Sequence, residues 1–547
     1  MNKFYFFCVA ISISLLSSAQ LAPNTYWIQF KNKNNTSFSL TEPEAYLSDR
    51  AIGRRERYSI AIDSTDLPVN SWYLDSLVNK GASILIVSKW FNGAAIYTDN
   101  SLVLDAIYQL DFVDQGISTS TQFSMNFFPE NEVPNTASIQ TDVFDYGSAS
   151  SQINLHAGQV LHNHGYQGQG MIIAILDSGF DGIDQIDAFD SIFDNHQILA
   201  TWDFVAHEAN VYNDHNHGKS VLSTIAANIP GSFIGTAPKA NFLLFRTENT
   251  ASEYKIEEIN WIAAAEMADS IGADVVNTSL GYNIYSLPSH SYTWNDLNDV
   301  TAPITIATNM AADKGMLMVT SAGNEGTNSW KKITSPADAS KGLTVGACDA
   351  NGNYVSFSSK GFTVDGDIKP DVCAMGQSAT VITASSVTTG NGTSFSSPIM
   401  CGLATCLWQV NRNKTNMEII DLIQRHSNQY NNPDSLMGYG IPNFSTAYEE
   451  LTTDIEIINS QKNQLIKIYP TVFNDELHIK YFSTIASPIE LSLFDMRGQI
   501  IFQSHCLSDS NVISYFNIPD LSNLSSGVYI LKLVEGQNIY TEQLIKY

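Results

Sequence analysis

Gly392-Thr393-Ser394-Phe395-Ser396-Ser397-Pro398 sets a serine between a glycine turn and an apolar segment that runs from Phe395 to Trp408. Gly392 permits a tight turn. The apolar segment predicts a buried helix that Ser394 opens. A hydroxyl at a helix N-terminus lies among free backbone N–H groups, which stabilise negative charge nearby. Ser394 is therefore a candidate nucleophile. The plainer alternative is a helix cap, because serine is a favoured N-cap residue. Three upstream segments bear on the choice.

Met171-Ile-Ile-Ala-Ile-Leu-Asp177-Ser178-Gly179 is an apolar run ending in a carboxylate. It predicts a buried parallel strand with Asp177 at its C-terminal end, where open α/β sheets hold their ligands. A buried aspartate needs a hydrogen-bond partner, and a histidine N–H is a suitable one. The alternative is an aspartate that merely caps a turn. In His217-Gly218-Lys219-Ser220-Val221-Leu222-Ser223-Thr224-Ile225-Ala226-Ala227, the apolar residues recur at helical spacing. His217 would then begin a core-packed helix. His207, His215 and His217 could suggest zinc, but the chain has no HExxH run and no Cys pair nearby. Met316-Leu-Met-Val-Thr-Ser321-Ala322-Gly323-Asn324-Glu325-Gly326 is a further strand, ending at an asparagine between glycines. That amide could donate to an oxyanion, or Asn324 could simply form a turn.

Together, Asp177, His217, Asn324 and Ser394 supply an orienting carboxylate, a general base, an oxyanion donor and a nucleophile. Their order along the chain, Asp then His then Ser, is that of subtilisin. The local motifs also resemble the subtilase family of serine endopeptidases: AILDSG at Asp177, HGKSVLSTIAA at His217 and GTSFSSP at Ser394. Gly235-Thr-Ala-Pro238-Lys-Ala240, Val275-Val-Asn277-Thr-Ser279-Leu280-Gly281 and Lys369-Pro370-Asp371-Val-Cys-Ala-Met-Gly376 resemble further family segments. The resemblance spans about residues 150–450. It implies peptide-bond hydrolysis through an acyl-enzyme, with protein or peptide substrates. It also implies that Ser279, Leu280 and Gly281 pair with an extended substrate, and that Ala322 and Gly323 line one wall of the S1 pocket. No cofactor is required for this chemistry. Subtilases often bind structural calcium, yet no run here has recognisable oxygen-ligand spacing, and no metal residue is assigned.

Two departures from the family pattern stand out. Lys219-Ser220 follows the His-Gly pair, and Phe395-Ser396 follows the nucleophile, where Met-Ala is usual. Neither removes a catalytic group. A charge at Lys219 is expected to lower the pKa of His217. The competing functional reading is a catalytically inactive subtilase-fold surface-binding module. Retention of all four catalytic residue types argues against it. A dinucleotide site at Gly165-Tyr-Gln-Gly168-Gln-Gly170 is disfavoured, because those glycines precede a strand instead of joining strand to helix.

The chain of 547 residues has room for about three domains. Its net charge of −27 argues against nucleic acid as a partner. Residues 1–19 have the pattern of a signal peptide: Lys3, an apolar core from Phe4 to Leu16, and Ser17-Ser18-Ala19 before Gln20. No other stretch reaches transmembrane length. Beyond Cys8, the cysteines at 348, 373, 401, 406 and 506 are odd in number. A Cys348–Cys373 bridge and buried free thiols both remain open.

The expected architecture is α/β: a subtilisin-like parallel sheet with flanking helices over 150–450, between a small α+β domain and a β-sandwich. Residues 20–140 resemble a propeptide in position and size, with strands at Tyr26–Phe30, Ser83–Val87 and Phe112–Ile117, a basic helical stretch around Arg50, Arg54, Arg55 and Arg57, and a helix at Ser101–Leu110. A permanent N-terminal domain is the alternative. Residues Glu130–Ser151 are the expected linker and maturation region. From about residue 465 the strands become short and alternating, as in a β-sandwich. Ile468-Tyr-Pro470, Asp495-Met-Arg-Gly498 and Leu524-Ser-Ser-Gly527-Val-Tyr529 resemble the C-terminal sorting domain of the type IX secretion system, over 465–547. That resemblance implies export from a Gram-negative cell, for release or surface attachment, with the secretion machinery as a partner. A carbohydrate-binding or adhesive sandwich is the alternative.

Overall fold

A computed structural model describes residues 20–114, 142–459 and 464–547, less 470–471, 474, 484–486, 509–511, 520 and 537. The expected signal segment, residues 130–141 of the expected linker, and the end of the strand expected at Phe112–Ile117 lie outside the described residues. Two compact units divide between Tyr448 and Glu449.

The first unit begins with a four-stranded antiparallel sheet: β1 (Gln20–Ala22), β2 (Thr25–Gln29), β3 (Ser83–Ser88) and β4 (Gly93–Tyr97), in the order β1-β2-β4-β3. Three helices accompany it: α1 (Asp49–Tyr58), α2 (Ser71–Asn79) and α3 (Ser101–Tyr108). Asn70 and Asn100 cap α2 and α3, accepting from Trp72 N and Leu102 N. The period of two along β4 assigns its faces. Ala94 and Ile96 join Tyr73, Leu77, Leu104 and Ile107 in one core, while Ala95 turns to the other face. There it meets Ile86, Trp90 and a helix of the following domain.

The following domain is built on seven parallel strands: β5 (Ile172–Asp177), β6 (Ile198–Asp203), β7 (Asn241–Arg246), β8 (Val275–Thr278), β9 (Leu317–Ser321), β10 (Leu343–Cys348) and β11 (Val372–Met375). Their order is β11-β10-β9-β8-β5-β7-β6. β5, β8, β9 and β10 are buried at every residue, as expected of strands covered on both faces. Ile172, Ala174 and Leu176 of β5 share a core with helices α5 (Ile256–Ile271) and α6 (Pro303–Asp313). The sheet also packs against α4 (His217–Ala226) and α7 (Thr393–Val410), which lie against each other. The five described cysteines, at 348, 373, 401, 406 and 506, are free thiols, so no Cys348–Cys373 bridge forms.

The N-terminal sheet is held to α5 and its surroundings by polar contacts as well as apolar ones. The Glu266 carboxylate accepts from Ser88 Oγ at 2.5 Å, Lys89 N at 2.8 Å and Trp90 N at 3.0 Å. Helix α1 contributes buried arginines. Arg54 and Arg55 both bond Asp269, and Arg55 also bonds Asp66 at 2.6 Å. Arg50 pairs with Asp274, which Arg412 contacts from the other side. Tyr58 stacks on Trp408 at the end of α7.

The second unit holds two sheets. One has three strands (Gln464–Tyr469, Leu477–Ser483, Val512–Ile518). The other has five (Val472–Phe473, Asn538–Lys546, Gly527–Glu535, Ser487–Asp495, Ile500–Ser508). Inward residues such as Ile479, Tyr481, Leu491, Leu493, Leu531 and Leu533 form their shared core. The Asp495–Gly498 turn joins two strands of the larger sheet, with Gly498 at φ 80°. Among the described residues no helix is long and apolar enough to cross a membrane.

Candidate active site

The predicted site residues converge at the C-terminal ends of adjacent strands. Asp177 is the last residue of β5, and Ser279-Leu280-Gly281 follows β8. Ala322, Gly323 and Asn324 follow β9. His217 opens α4, and Ser394 lies in the first turn of α7. Close packing sets the helix positions. A Cβ on Gly218 would lie 2.5 Å from Gly179 O and 3.0 Å from Asp177 Cβ, so only glycine lets α4 bring His217 against the end of β5.

Asp177 is fully buried. Its Oδ1 lies 2.8 Å from His217 Nδ1 and accepts from Ser178 N at 2.7 Å. The Ser178 hydroxyl also reaches Asp177 Oδ1 and lies 2.9 Å from His215 Nδ1. The His217 side chain is 28% exposed, open enough on one side to meet a substrate. The Phe395 ring lies beside it, tilted, with centroids 6.3 Å apart.

Ser394 is held by a brace that sequence patterns did not reveal. Pro398 lies inside α7 and has no N–H for the Ser394 carbonyl. That carbonyl instead accepts from Ser279 Oγ at 2.9 Å. Asn277 Nδ2 bonds Ser279 Oγ, and Asn277 Oδ1 accepts from Ser397 Oγ at 2.9 Å. A polar side chain midway along the apolar strand Val275–Thr278 was the one available signal. The Ser394 hydroxyl donates to Ser279 O at 3.3 Å. Among the described hydrogen bonds none joins it to His217. Asn324 Oδ1 accepts from Thr393 N at 2.9 Å and Thr393 Oγ1 at 3.1 Å, which leaves its NH₂ group for another acceptor. Thr393 Oγ1 also accepts from Gly323 N. Gly281 packs so closely on Thr334 that a Cβ there would lie 2.1 Å from the Thr334 hydroxyl. Ala322 is buried with Leu297, Ile333 and Ala337.

The subtilase family profile (Peptidase S8) matches residues 168–440, the span that carries all of these groups. The chain belongs to the subtilase family. This subtilase also matches the Peptidase S8 propeptide domain of Bacteroidota over residues 25–137 and a secretion system C-terminal sorting domain over 467–547. It is 29% identical over 287 residues to Subtilisin Savinase of Lederbergia lenta, covering 52% of this chain and 93% of that one. The same span and identity hold for M-protease of Shouchella clausii, but cover 66% of that protein. Subtilisin E of Bacillus subtilis is 29% identical over 300 residues, 53% of this chain and 70% of the other. Among solved structures, MycP1 from Mycobacterium smegmatis is 21% identical, covering 57% of this chain and 87% of that one, with a TM-score of 0.43.

The electrostatics of His217 run opposite to the expectation from Lys219. Burial lowers its pKa, but the charge of Asp177 and its hydrogen bond outweigh burial, and the net direction is upward. Lys219 is itself buried and faces Asp181 at 3.6 Å, where its charge is partly met. A base must be neutral to accept a proton. The acid limb of kcat/KM in this subtilase should therefore lie above the ordinary imidazole value of about 6.5. A Lys219→Thr variant should leave that limb in place, as pH–rate profiles of the two proteins would show.

Proposed function

We propose that this subtilase is a secreted serine endopeptidase that hydrolyses peptide bonds through Asp177, His217 and Ser394. The reading rests on the 2.8 Å contact between His217 Nδ1 and a buried Asp177, beside the helix whose first turn holds Ser394. Ser394 Oγ attacks the scissile carbonyl carbon as His217 Nε2 takes its proton. His217 then protonates the leaving amine. Water repeats the cycle on the acyl-enzyme. Asp177 accepts the Nδ1–H, which fixes the tautomer and stabilises the imidazolium. The free amide of Asn324 and the Ser394 N–H receive the oxyanion. Ser279-Leu280-Gly281 pairs with the substrate main chain as an added strand, and Ala322 and Gly323 form a wall of the S1 pocket. The N-terminal domain acts as a propeptide removed on maturation. The C-terminal unit addresses the chain to the type IX secretion machinery.

The Ser394 hydroxyl's bond to Ser279 O favours the alternative, an inactive surface-binding module. Catalytic hydrogen bonds are often loose before substrate arrives, and rotation of one side chain would redirect this hydroxyl. Turnover of casein decides between the two. Active enzyme should release internal peptides, and Asn324→Ala should lower kcat by about 10²–10³-fold with little change in KM. Equal, background-level release from both proteins would support the inactive module.

A further inference from the structure

A second cluster of ionisable groups lies beside the proposed substrate strand. Glu248, Glu253 and Glu257 each bring one carboxylate oxygen to within 4.8 Å of the others. Glu248 follows β7 and Glu257 sits in the first turn of α5, so the loop between them closes on the cluster. Glu248 and Glu257 are buried, and Glu253 is half-buried. The Tyr282 hydroxyl, directly after Ser279-Leu280-Gly281, donates to Glu248 Oε1 at 2.5 Å.

Glu257 distinguishes this cluster from an ordinary acidic patch. It is 1% exposed, and neither carboxylate oxygen has a hydrogen-bond partner. The amides of Asn249 and Tyr254 lie near enough to stabilise its charge, but they do not close a hydrogen bond. The adjacent Glu258 shows what a satisfied carboxylate looks like in this fold. It receives the Tyr285 and Tyr292 hydroxyls, the Lys255 ammonium and the Ile304 N–H. Nearby cations are committed elsewhere: Arg246 to Asp203 and Asp214, Lys255 to Glu258. Among the described residues none forms an ion pair with Glu248, Glu253 or Glu257. Burial first, then the charges of Glu248 and Glu253, push the Glu257 carboxyl up to about 10.

Protons or a cation could neutralise such a group. A proton would leave Glu257 with a buried hydroxyl and a carbonyl oxygen, both unpartnered, which is costly. A cation satisfies all three carboxylates at once. Hard oxygen ligands select calcium over zinc, and calcium binds oxygen at about 2.3–2.6 Å. Two oxygens on one such ion stand up to about 5 Å apart, which matches the observed spacing. We propose that Glu248, Glu253 and Glu257 form a calcium site that ties the end of β7 to the start of α5. Through Tyr282, the ion braces the segment Ser279-Leu280-Gly281, whose pairing with substrate rests on the proposed function.

The test uses the full chain carrying Ser394→Ala, which prevents self-digestion, after treatment with a chelator. Calcium binding is followed by calorimetry, and terbium luminescence sensitised by Tyr282 serves as a second probe. The expected result is a site that binds calcium and raises the melting temperature. Glu257→Gln should weaken binding at least tenfold and abolish the calcium-dependent rise. In chelator its melting temperature should match the parent's, because the amide keeps the shape of the carboxyl it replaces. Glu253→Gln, at a half-exposed position, should weaken binding in the same direction and decides the matter if Glu257→Gln fails to fold. The proposal is overturned if the parent binds no calcium. It is equally overturned if the folded variants retain the parent's affinity and calcium-dependent melting, which would put the binding elsewhere and leave Glu257 protonated.

Discussion

Replacing His217 with alanine should lower turnover by about 10⁶-fold while leaving the protein folded. The size follows from chemistry, because an unactivated serine hydroxyl is a weak nucleophile and the variant has no base to take its proton. The loss falls in the transition state, so kcat should fall with little change in KM. Folding should survive, since the His217 side chain is partly exposed and its one recorded side-chain hydrogen bond is to Asp177. The residues act as a unit, so His217→Ala combined with Ser394→Ala should be no slower than either alone. Steady-state kinetics on a chromogenic peptide, with circular dichroism as the folding control, would check both statements. A loss of only tenfold would mean that another group serves as the base.

The second large effect concerns the grip of the N-terminal domain. Asp269 is fully buried between Arg54 and Arg55, with Lys89 at 3.8 Å. Removing one partner of a buried pair leaves charge without compensation and costs about 3–5 kcal/mol. Asp269→Ala in the Ser394→Ala background should therefore lower the urea midpoint of the first unit markedly. Replacing Arg54 as well, Asp269→Leu with Arg54→Met, should recover part of the loss, because Arg54 is then no longer stranded and Arg55 keeps its bond to Asp66. If the single and double variants unfold at the same midpoint, the pair is not what holds α1 in place. The pH dependence has a definite sign. Burial raises the Asp269 carboxyl, but the arginines and Lys89 outweigh it and hold the pKa below the usual aspartate value. Its contribution is fully present above about pH 4. It is lost as pH falls through the depressed value, so acid loosens this contact.

The site was legible wherever a chemical group ends an apolar run. Asp177 closes Ile172–Leu176, and Ser394 opens Phe395–Trp408. The parallel-sheet topology then brings those ends together. Less was legible where partners lie far apart in sequence. Arg54 and Arg55 read only as part of a basic helical stretch, and their partner Asp269 is more than 200 residues away. The strand Ile198–Asp203 escaped because it is a sheet edge, half-exposed along most of its length and without a continuous apolar pattern. Ile500–Ser508, also an edge strand, escaped for a similar reason. Helix Ser71–Asn79 is short, and its signal is an Asn cap with two buried residues, Tyr73 and Leu77. The spacing of Glu248, Glu253 and Glu257 matches no metal-binding pattern. Only the loop's return from β7 to α5 brings them together.

Labelling with a fluorophosphonate probe tests the central claim most directly. The full chain and its Ser394→Ala variant would be compared, before and after removal of the N-terminal segment, with the labelled peptide located by mass spectrometry. A single adduct on Ser394 is expected in the parent after that removal, with no adduct in the variant and casein cleavage by the parent alone. A folded parent that neither labels nor cleaves in either form would contradict it and leave the inactive surface module as the function.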